Sequence, residues 1–224
     1  MTLFSTPEIV SSYADNAARM VPGMRDIPKM AGALLAECAP ADARILVLGA
    51  GGGLELKTFA EMQPAWRFDG VDPSADMLDL ARSTLGPLAS RAHLHEGYID
   101  SAPVGPFDGA TCLLTLHFLP RNERLATLKA IQLRLKAGAP LVVVHHSFPN
   151  EEPDQDKWLR RSTAFAVASG MPAMQTEARM SSLKALLPVL TPQEDIELLD
   201  HAGFGGVELF YSAFTFKGWV AYKR

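Results

Sequence analysis

Ile45-Leu46-Val47-Leu48-Gly49-Ala50-Gly51-Gly52-Gly53-Leu54-Glu55-Leu56 decides the fold of this 224-residue chain. Four apolar residues run into four glycines within five positions, and Leu54-Glu55-Leu56-Lys57-Thr58-Phe59 resumes with good helix formers. This reads as buried strand, tight turn and helix, the opening turn of a doubly wound α/β fold. In such a turn glycines let backbone N–H groups close on a ligand without an intervening Cβ, and the new helix adds its N-terminal partial positive charge. A cofactor is expected here. The dinucleotide fingerprint G-x-G-x-x-G would need a glycine at Leu54; the pattern present is G-x-G-x-G, at Gly49, Gly51 and Gly53.

Upstream of the turn, residues 7–24 have apolar positions at helical spacing and end at Val21-Pro22-Gly23, which predicts a helical arm. Asp26 is placed to cap a helix starting near Pro28, with Met30, Leu34 and Cys38 on one face and Pro40 as its stop. Strand one follows from about Arg44 to Leu48. Downstream, Arg67 to Asp72 reads as strand two, and Asp72 stands at its carboxyl end, 19 residues after Gly53. The second strand of a right-handed crossover lies beside the first, so an acid here can accept from both hydroxyls of a cofactor ribose. Pro73-Ser74-Ala75-Asp76-Met77-Leu78 opens a helix with Ser74 as its cap, and Asp76 and Asp79 read as solvated acids near its start.

His93 to Tyr98 is the expected third strand, and Phe107 to Leu119 the fourth strand with its exit. Strand four lies across the topological switch from strand one, so Thr115, Leu116 and His117 should border the cofactor's reactive end. Asn122 is the expected cap of the next helix and Gly138 its left-handed stop. Strand five is Leu141 to Val144, followed by His145-His146-Ser147. Residues 150–190 break the alternation with helical stretches around Trp158 to Ala168 and Ser181 to Leu187, an insertion suited to a lid or a homodimer surface. Thr191-Pro192-Gln193-Glu194 combines a capping box with proline at the first helical position, and Val207 to Ser212 and Phe214 to Tyr222 alternate as two closing strands.

Composition bounds the function. Hydrophobic residues make up 48% and charged residues 21%, ordinary for a globular chain, and the formal net charge is −4. The only basic cluster, Lys157-Trp158-Leu159-Arg160-Arg161, sits among acids such as Asp154 and Asp156, too narrow a footprint for a nucleic-acid surface. No membrane span and no leader are expected, and Cys38 and Cys112 show no metal spacing and read as small core residues, so a cytoplasmic protein without a metal is the expectation.

The glycine spacing resembles the nucleotide loop of class I S-adenosylmethionine (SAM) dependent methyltransferases, and Gly70-Val71-Asp72-Pro73-Ser74-Ala75-Asp76-Met77-Leu78 resembles their second motif. The resemblance implies an α/β fold with a doubly wound, mostly parallel seven-stranded sheet whose last strand is antiparallel. One domain would cover residues 1–224, with a helical arm at 1–42 and a lid at 150–190. It implies SAM as cofactor, S-adenosylhomocysteine as product and a small-molecule acceptor. Leu48, Gly49, Ala50, Gly51 and Gly53 would form the loop, Asp72 and Pro73 the ribose site, Met77 the adenine packing and Tyr98-Ile99 the adenine contact, with Asp100 as second choice. Thr115 would border the reactive end, and Tyr13 and Arg19 on the arm would close over the methionine end. That family usually carries an acid two positions before the first glycine, helping to hold the loop or the methionine amino group; this chain has Val47.

Three further strings look like the branch containing carboxy-S-adenosylmethionine synthase: Arg19 to Gly23, Leu114 to Leu119 with Glu123-Arg124, and Ala202-Gly203-Phe204 through Phe214-Thr215-Phe216. That synthase holds an extra carboxylate with cationic and hydroxyl donors. Here Met24 follows the Val21-Pro22-Gly23 string, Ser181-Ser182-Leu183 stands about where the arginine would be, and Arg179 is out of register. A buried carboxylate without a charged partner is costly, so plain methyl transfer is the leading expectation.

Methyl transfer needs approach geometry and an enclosed site more than a fixed catalytic group. His117 is the candidate catalytic residue, with His145 and His146 as strand-end alternatives. Trp158, Phe165, Met171 and Met174 are expected to pack the insertion, with an apolar acceptor pocket as their other use. A short-chain dehydrogenase would need Tyr-x-x-x-Lys, and Tyr13, Tyr98, Tyr211 and Tyr222 all lack the lysine. A SAM-binding regulatory protein without turnover is the alternative outside enzymology.

Overall fold

The computed structural model describes residues 15–224, so Tyr13 lies outside the described residues. After a helical stretch at 15–20, the elements run α1 (Ile27–Ala36), β1 (Arg44–Leu48), α2 (Leu54–Met62), β2 (Arg67–Asp72), α3 (Ala75–Leu85) and β3 (Ala92–Glu96). They continue with β4 (Gly109–Leu113), α4 (Arg121–Arg134), β5 (Pro140–His146), α5 (Asp154–Ala168), α6 (Ala173–Leu186), α7 (Pro192–His201), β6 (Phe204–Ala213) and β7 (Phe216–Lys223). The strands form one seven-stranded sheet in the order β3-β2-β1-β4-β5-β7-β6. The first five are parallel, and β7 runs antiparallel to both of its neighbours.

Chain direction reverses across the sheet between β1 and β4, where a doubly wound sheet opens its ligand crevice. β1, β4 and β5 are buried almost throughout, as expected of strands covered on both faces. Phe107, Ile131, Leu141, Leu198, Phe204 and Trp219 fill one side, and Leu35, Ile45, Phe59, Trp66 and Phe68 the other. Phe148, Leu159, Met180 and Leu183 make a smaller cluster that seats α5 and α6 at the carboxyl end of β5.

The Thr191 capping box is complete: its hydroxyl accepts from the Glu194 N–H at 3.3 Å, and the Glu194 carboxylate accepts from the Thr191 N–H at 2.8 Å. Thr191→Ala should therefore lower stability by about 1 kcal/mol, read as a shift in the thermal unfolding midpoint. Three expected helix ends differ. Asp26 stands at the start of α1, but its carboxylate pairs with Lys29 at 3.1 Å and makes no cap bond. Asn122 lies inside α4 as its second residue, because the helix starts at Arg121 with Pro120 as its N-cap residue and no side-chain cap bond. Gly138 has φ +74 but stands in the turn into β5, beyond the end of α4. Cys38 is exposed, since α1 ends at Ala36; Cys112 is buried on β4 as expected.

Candidate functional site

The glycine turn sits at the switch point. Gly49, Gly51 and Gly53 have φ values of +78, +48 and +78, open to glycine at little cost. At Gly49 the demand is also steric, for a Cβ there would stand 2.0 Å from Thr115 Oγ1. The exit of β4 thus crosses directly over the turn. Leu114, at φ +57, takes the strained conformation that lets the chain leave β4 here, and its N–H donates to Val144 O at 2.5 Å.

The amides of the turn are mostly spent within the protein. Gly49 N–H and Ala50 N–H donate to Val71 O at 2.8 and 3.0 Å, Gly53 N–H donates to Ala50 O at 3.0 Å, and Gly51 N–H donates to Asp72 Oδ2 at 2.9 Å. Such a turn offers a surface to lie on, whereas a phosphate would demand those donors. Asp72 Oδ1 accepts from Ser74 N–H at 2.9 Å, and Ser74 Oγ accepts from Met77 N–H at 3.3 Å. The Asp72 carboxylate is therefore clamped between the glycine turn and the start of α3. Burial raises its pKa from the ordinary carboxylate range against the Ser74 and Gly51 N–H groups that favour its charge. Each oxygen keeps a lone pair for a ribose hydroxyl. These residues fit a nucleoside without a pyrophosphate, as in SAM.

The other expected cofactor residues fall into two groups. Leu48, Ala50 and Ile99 are buried, Pro73 and Tyr98 are exposed, and Met77 is 2% exposed in α3 beneath Ser74. Tyr98 and Ile99 follow Gly97, whose N–H donates to Asp72 O at 3.0 Å, so the end of β3 is tied to the backbone of Asp72. Asp100 is exposed beside them. Thr115 packs on Gly49 and donates from Oγ1 to Leu113 O at 3.0 Å. Arg19 is exposed on the helical stretch at 15–20. The turn after that stretch is anchored by Tyr211, whose hydroxyl donates to Pro22 O at 2.6 Å.

One acid near the turn has no part in the expectations. Glu55, in the first turn of α2, is 8% exposed, and its Oε1 accepts from Thr111 Oγ1 of β4 at 2.8 Å. Burial pushes its pKa up to about 8, opposed by the Thr111 bond and aided by the charge of Asp72. An acid following a glycine turn by two residues, on a helix whose first turn must be buried, is the signal that could have found it.

At the carboxyl ends of β4 and β5 lies a histidine cluster. The rings of His117 and His146 are 4.9 Å apart, and His117 Nδ1 accepts a long 3.4 Å bond from the His146 backbone N–H. That bond selects the neutral tautomer with the proton on Nε2. His146 Nδ1 pairs with Thr215 Oγ1 at 3.0 Å. Burial lowers the pKa of both rings, that of His146 to about 3, and the Arg179 charge lowers both further. His145 points elsewhere: its Nε2 is 3.2 Å from Asp195 Oδ2, and Asp195 Oδ1 accepts from Arg124 at 2.6 Å.

The insertion residues do not converge on one pocket. Trp158 lies under the Arg161 guanidinium at 4.7 Å, Phe165 packs on Phe214 at 5.7 Å, Met171 is buried and Met174 is 85% exposed. Among the described residues no group of three or more His, Cys, Asp or Glu side chains is placed to hold a metal ion, and no helix is long and apolar enough to cross a membrane.

Comparison with known proteins agrees with this geometry. A family model described as a methyltransferase domain matches residues 45–138, from β1 through the turn after α4. The carboxy-S-adenosyl-L-methionine synthase of Chromohalobacter salexigens is 28% identical, the alignment covering 99% of this chain and 87% of that protein. A candidate O-methyltransferase of Nostoc punctiforme superposes with a TM-score of 0.70 at 20% identity, over 96% of this chain and 59% of the other. Human N-acetylserotonin methyltransferase, solved in complex with SAM, superposes with a TM-score of 0.58 at 15% identity, over 98% of this chain and 59% of the other. The chain thus spans about 59% of the length of these two methyltransferase structures. With this sheet order and these superpositions, the chain has the fold of the class I SAM-dependent methyltransferases, and its residues 45–138 match the methyltransferase-domain model.

Proposed function

We propose that this protein is an enzyme that transfers a methyl group from SAM to a small-molecule acceptor. The observation that carries the reading is the clamped Asp72 beside a glycine turn whose amides are already bonded, a nucleoside site with little left to offer a phosphate. SAM, when bound, supplies an activated methyl carbon on a sulfonium. The chain's own part is to hold and orient. Asp72 accepts from the ribose hydroxyls, and Thr115 and Leu114 form the wall towards the acceptor. His117, held neutral with its proton on Nε2, donates a hydrogen bond to orient the acceptor. The net charge of −4 without a broad basic face supports a small acceptor over a polynucleotide.

Titration calorimetry of the purified protein with S-adenosylhomocysteine should show saturable one-to-one binding; no heat at millimolar ligand would overturn the proposal. A second reading, a carboxy-SAM synthase-like enzyme, has two observations behind it. The Chromohalobacter relative aligns over 99% of this chain. Arg179 of α6, although out of register in sequence, acts electrostatically on His117 and His146 at the site's mouth, where an extra carboxylate would need a cation. Native mass spectrometry separates the two: a co-purifying cofactor heavier than SAM by a carboxylate supports the second reading.

A further inference from the structure

Strand β1 lacks an acid at Val47, yet the structure brings one to the same place from another element. Val47 pairs in register with Thr111 of β4, so the two side chains share a face of the sheet. Thr111 Oγ1 donates to Glu55, which puts the Glu55 carboxyl beside the Val47 side chain. Glu55 also lines a cavity of about 20 Å³ together with Gly49, Ala50 and Gly52 of the glycine turn, room for a water-sized group. Met24, Ile27, Pro28, Leu113 and Leu114 close the cavity, and the Tyr211 bond to Pro22 holds the segment that supplies its roof.

The groups facing Glu55 leave its charge uncompensated. From β4 comes the Thr111 hydroxyl, and from the end of β2 the like charge of Asp72; neither is a cation. An acid in that setting waits for a positive ligand. Building on the SAM reading, we propose that Glu55 receives the α-ammonium of the cofactor's methionine end and gives up its proton as the cofactor binds. The bookkeeping is simple: a carboxylic acid and an ammonium become a carboxylate–ammonium pair, and one proton passes to solvent.

Because the ligand-free carboxyl titrates near 8, at pH 7 it is mostly protonated, and binding should release close to one proton. The sign is definite: affinity should rise as pH increases towards 8, by up to tenfold per unit, and then level off. Calorimetry with S-adenosylhomocysteine at pH 7 in phosphate and in Tris, whose ionisation enthalpies differ widely, counts the protons. Glu55→Gln keeps an acceptor for Thr111 and should abolish the release, flatten the pH profile and weaken binding at least tenfold at pH 8 but less at pH 6. Its affinity for 5′-methylthioadenosine, which has the ribose but no ammonium, should be unchanged. Thr111→Val leaves Glu55 charged less readily and should move the midpoint of the pH profile upward.

Wild-type binding with no proton release, or the same pH slope in Glu55→Gln, would overturn the assignment of Glu55 and leave the SAM reading standing. Absence of wild-type binding to either nucleoside at any pH would instead remove the SAM reading itself. Equal weakening of both ligands by Glu55→Gln would mean that Glu55 only shapes the turn, and would also overturn the proposal.

Discussion

Replacing Arg124 by methionine should destabilise the protein by about 3–5 kcal/mol, the largest effect expected of any single substitution outside the apolar core. The guanidinium is fully buried, and it bonds Asp195 of α7 at 2.6 Å and the Pro188 carbonyl at 3.0 Å. Asp195 in turn faces His145 of β5 at 3.2 Å. One arginine therefore joins the entry of α4, the entry of α7 and the end of β5, directly behind the histidine cluster. Burial alone would raise the Asp195 pKa, and the neighbouring His145 and Arg124 outweigh it, so its carboxyl sits below the usual range. Without Arg124 the carboxylate would be buried with only His145 against it, and the balance would turn.

The pH dependence follows from that sign. In the wild type Asp195 contributes stability above the ordinary carboxylate pKa and loses it as pH falls; in Arg124→Met a buried charge is penalised at neutral pH and relieved by protonation. The deficit of the variant should be largest near pH 7 and shrink towards pH 5. Denaturant unfolding at both pH values measures it, and Arg124→Met with Asp195→Leu should recover at least half of the loss, since removing both partners leaves no orphaned charge. A single-variant loss below about 1 kcal/mol, or no recovery in the double variant, would show that the triad does not act as a unit.

The elements that sequence made legible are those dictated by local chemistry. The glycine turn, the Ser74 and Thr191 caps, the position of Asp72 and the order of β1 to β5 all rest on backbone demands that recur within a few residues. The candidate site was legible as far as those demands reach. Glu55 was invisible because its role depends on Thr111, 56 residues away and adjacent only once β4 is laid beside β1. The Arg124–Asp195 pair spans 71 residues, and nothing in either local string distinguishes a buried ion pair from two solvated helix charges. Asn122 misled for the opposite reason: its type suits a cap, but the helix starts one residue earlier, at Arg121, with Pro120 in the cap position. The histidines were visible as strand-end residues. Their division into a neutral pair facing the site and one partner of Asp195 follows from the alternation of His145 and His146 across the sheet.

Asp72→Ala should weaken S-adenosylhomocysteine binding by about 1.5–3 kcal/mol, roughly 10- to 150-fold, because it removes an ionised acceptor for the ribose hydroxyls. The same carboxylate also accepts from Gly51 N–H and Ser74 N–H, so the substitution must be separated from a collapse of the turn. Two comparisons do this. If the ribose contact is the main loss, 5′-methylthioadenosine and S-adenosylhomocysteine should weaken by the same factor, since they share the ribose and differ only at the amino-acid end. Asp72→Asn, which retains one acceptor oxygen but turns an NH₂ towards a backbone N–H, should fall between wild type and alanine in affinity while losing stability of its own. Unfolding in the absence of ligand reads the structural share directly. A drop in unfolding midpoint with unchanged affinity for both nucleosides would make Asp72 a brace between β1 and α3, and the ribose would have to be held elsewhere. An affinity loss confined to S-adenosylhomocysteine would mean that the substitution acts through the glycine turn on the methionine end, the end that the proposal above gives to Glu55.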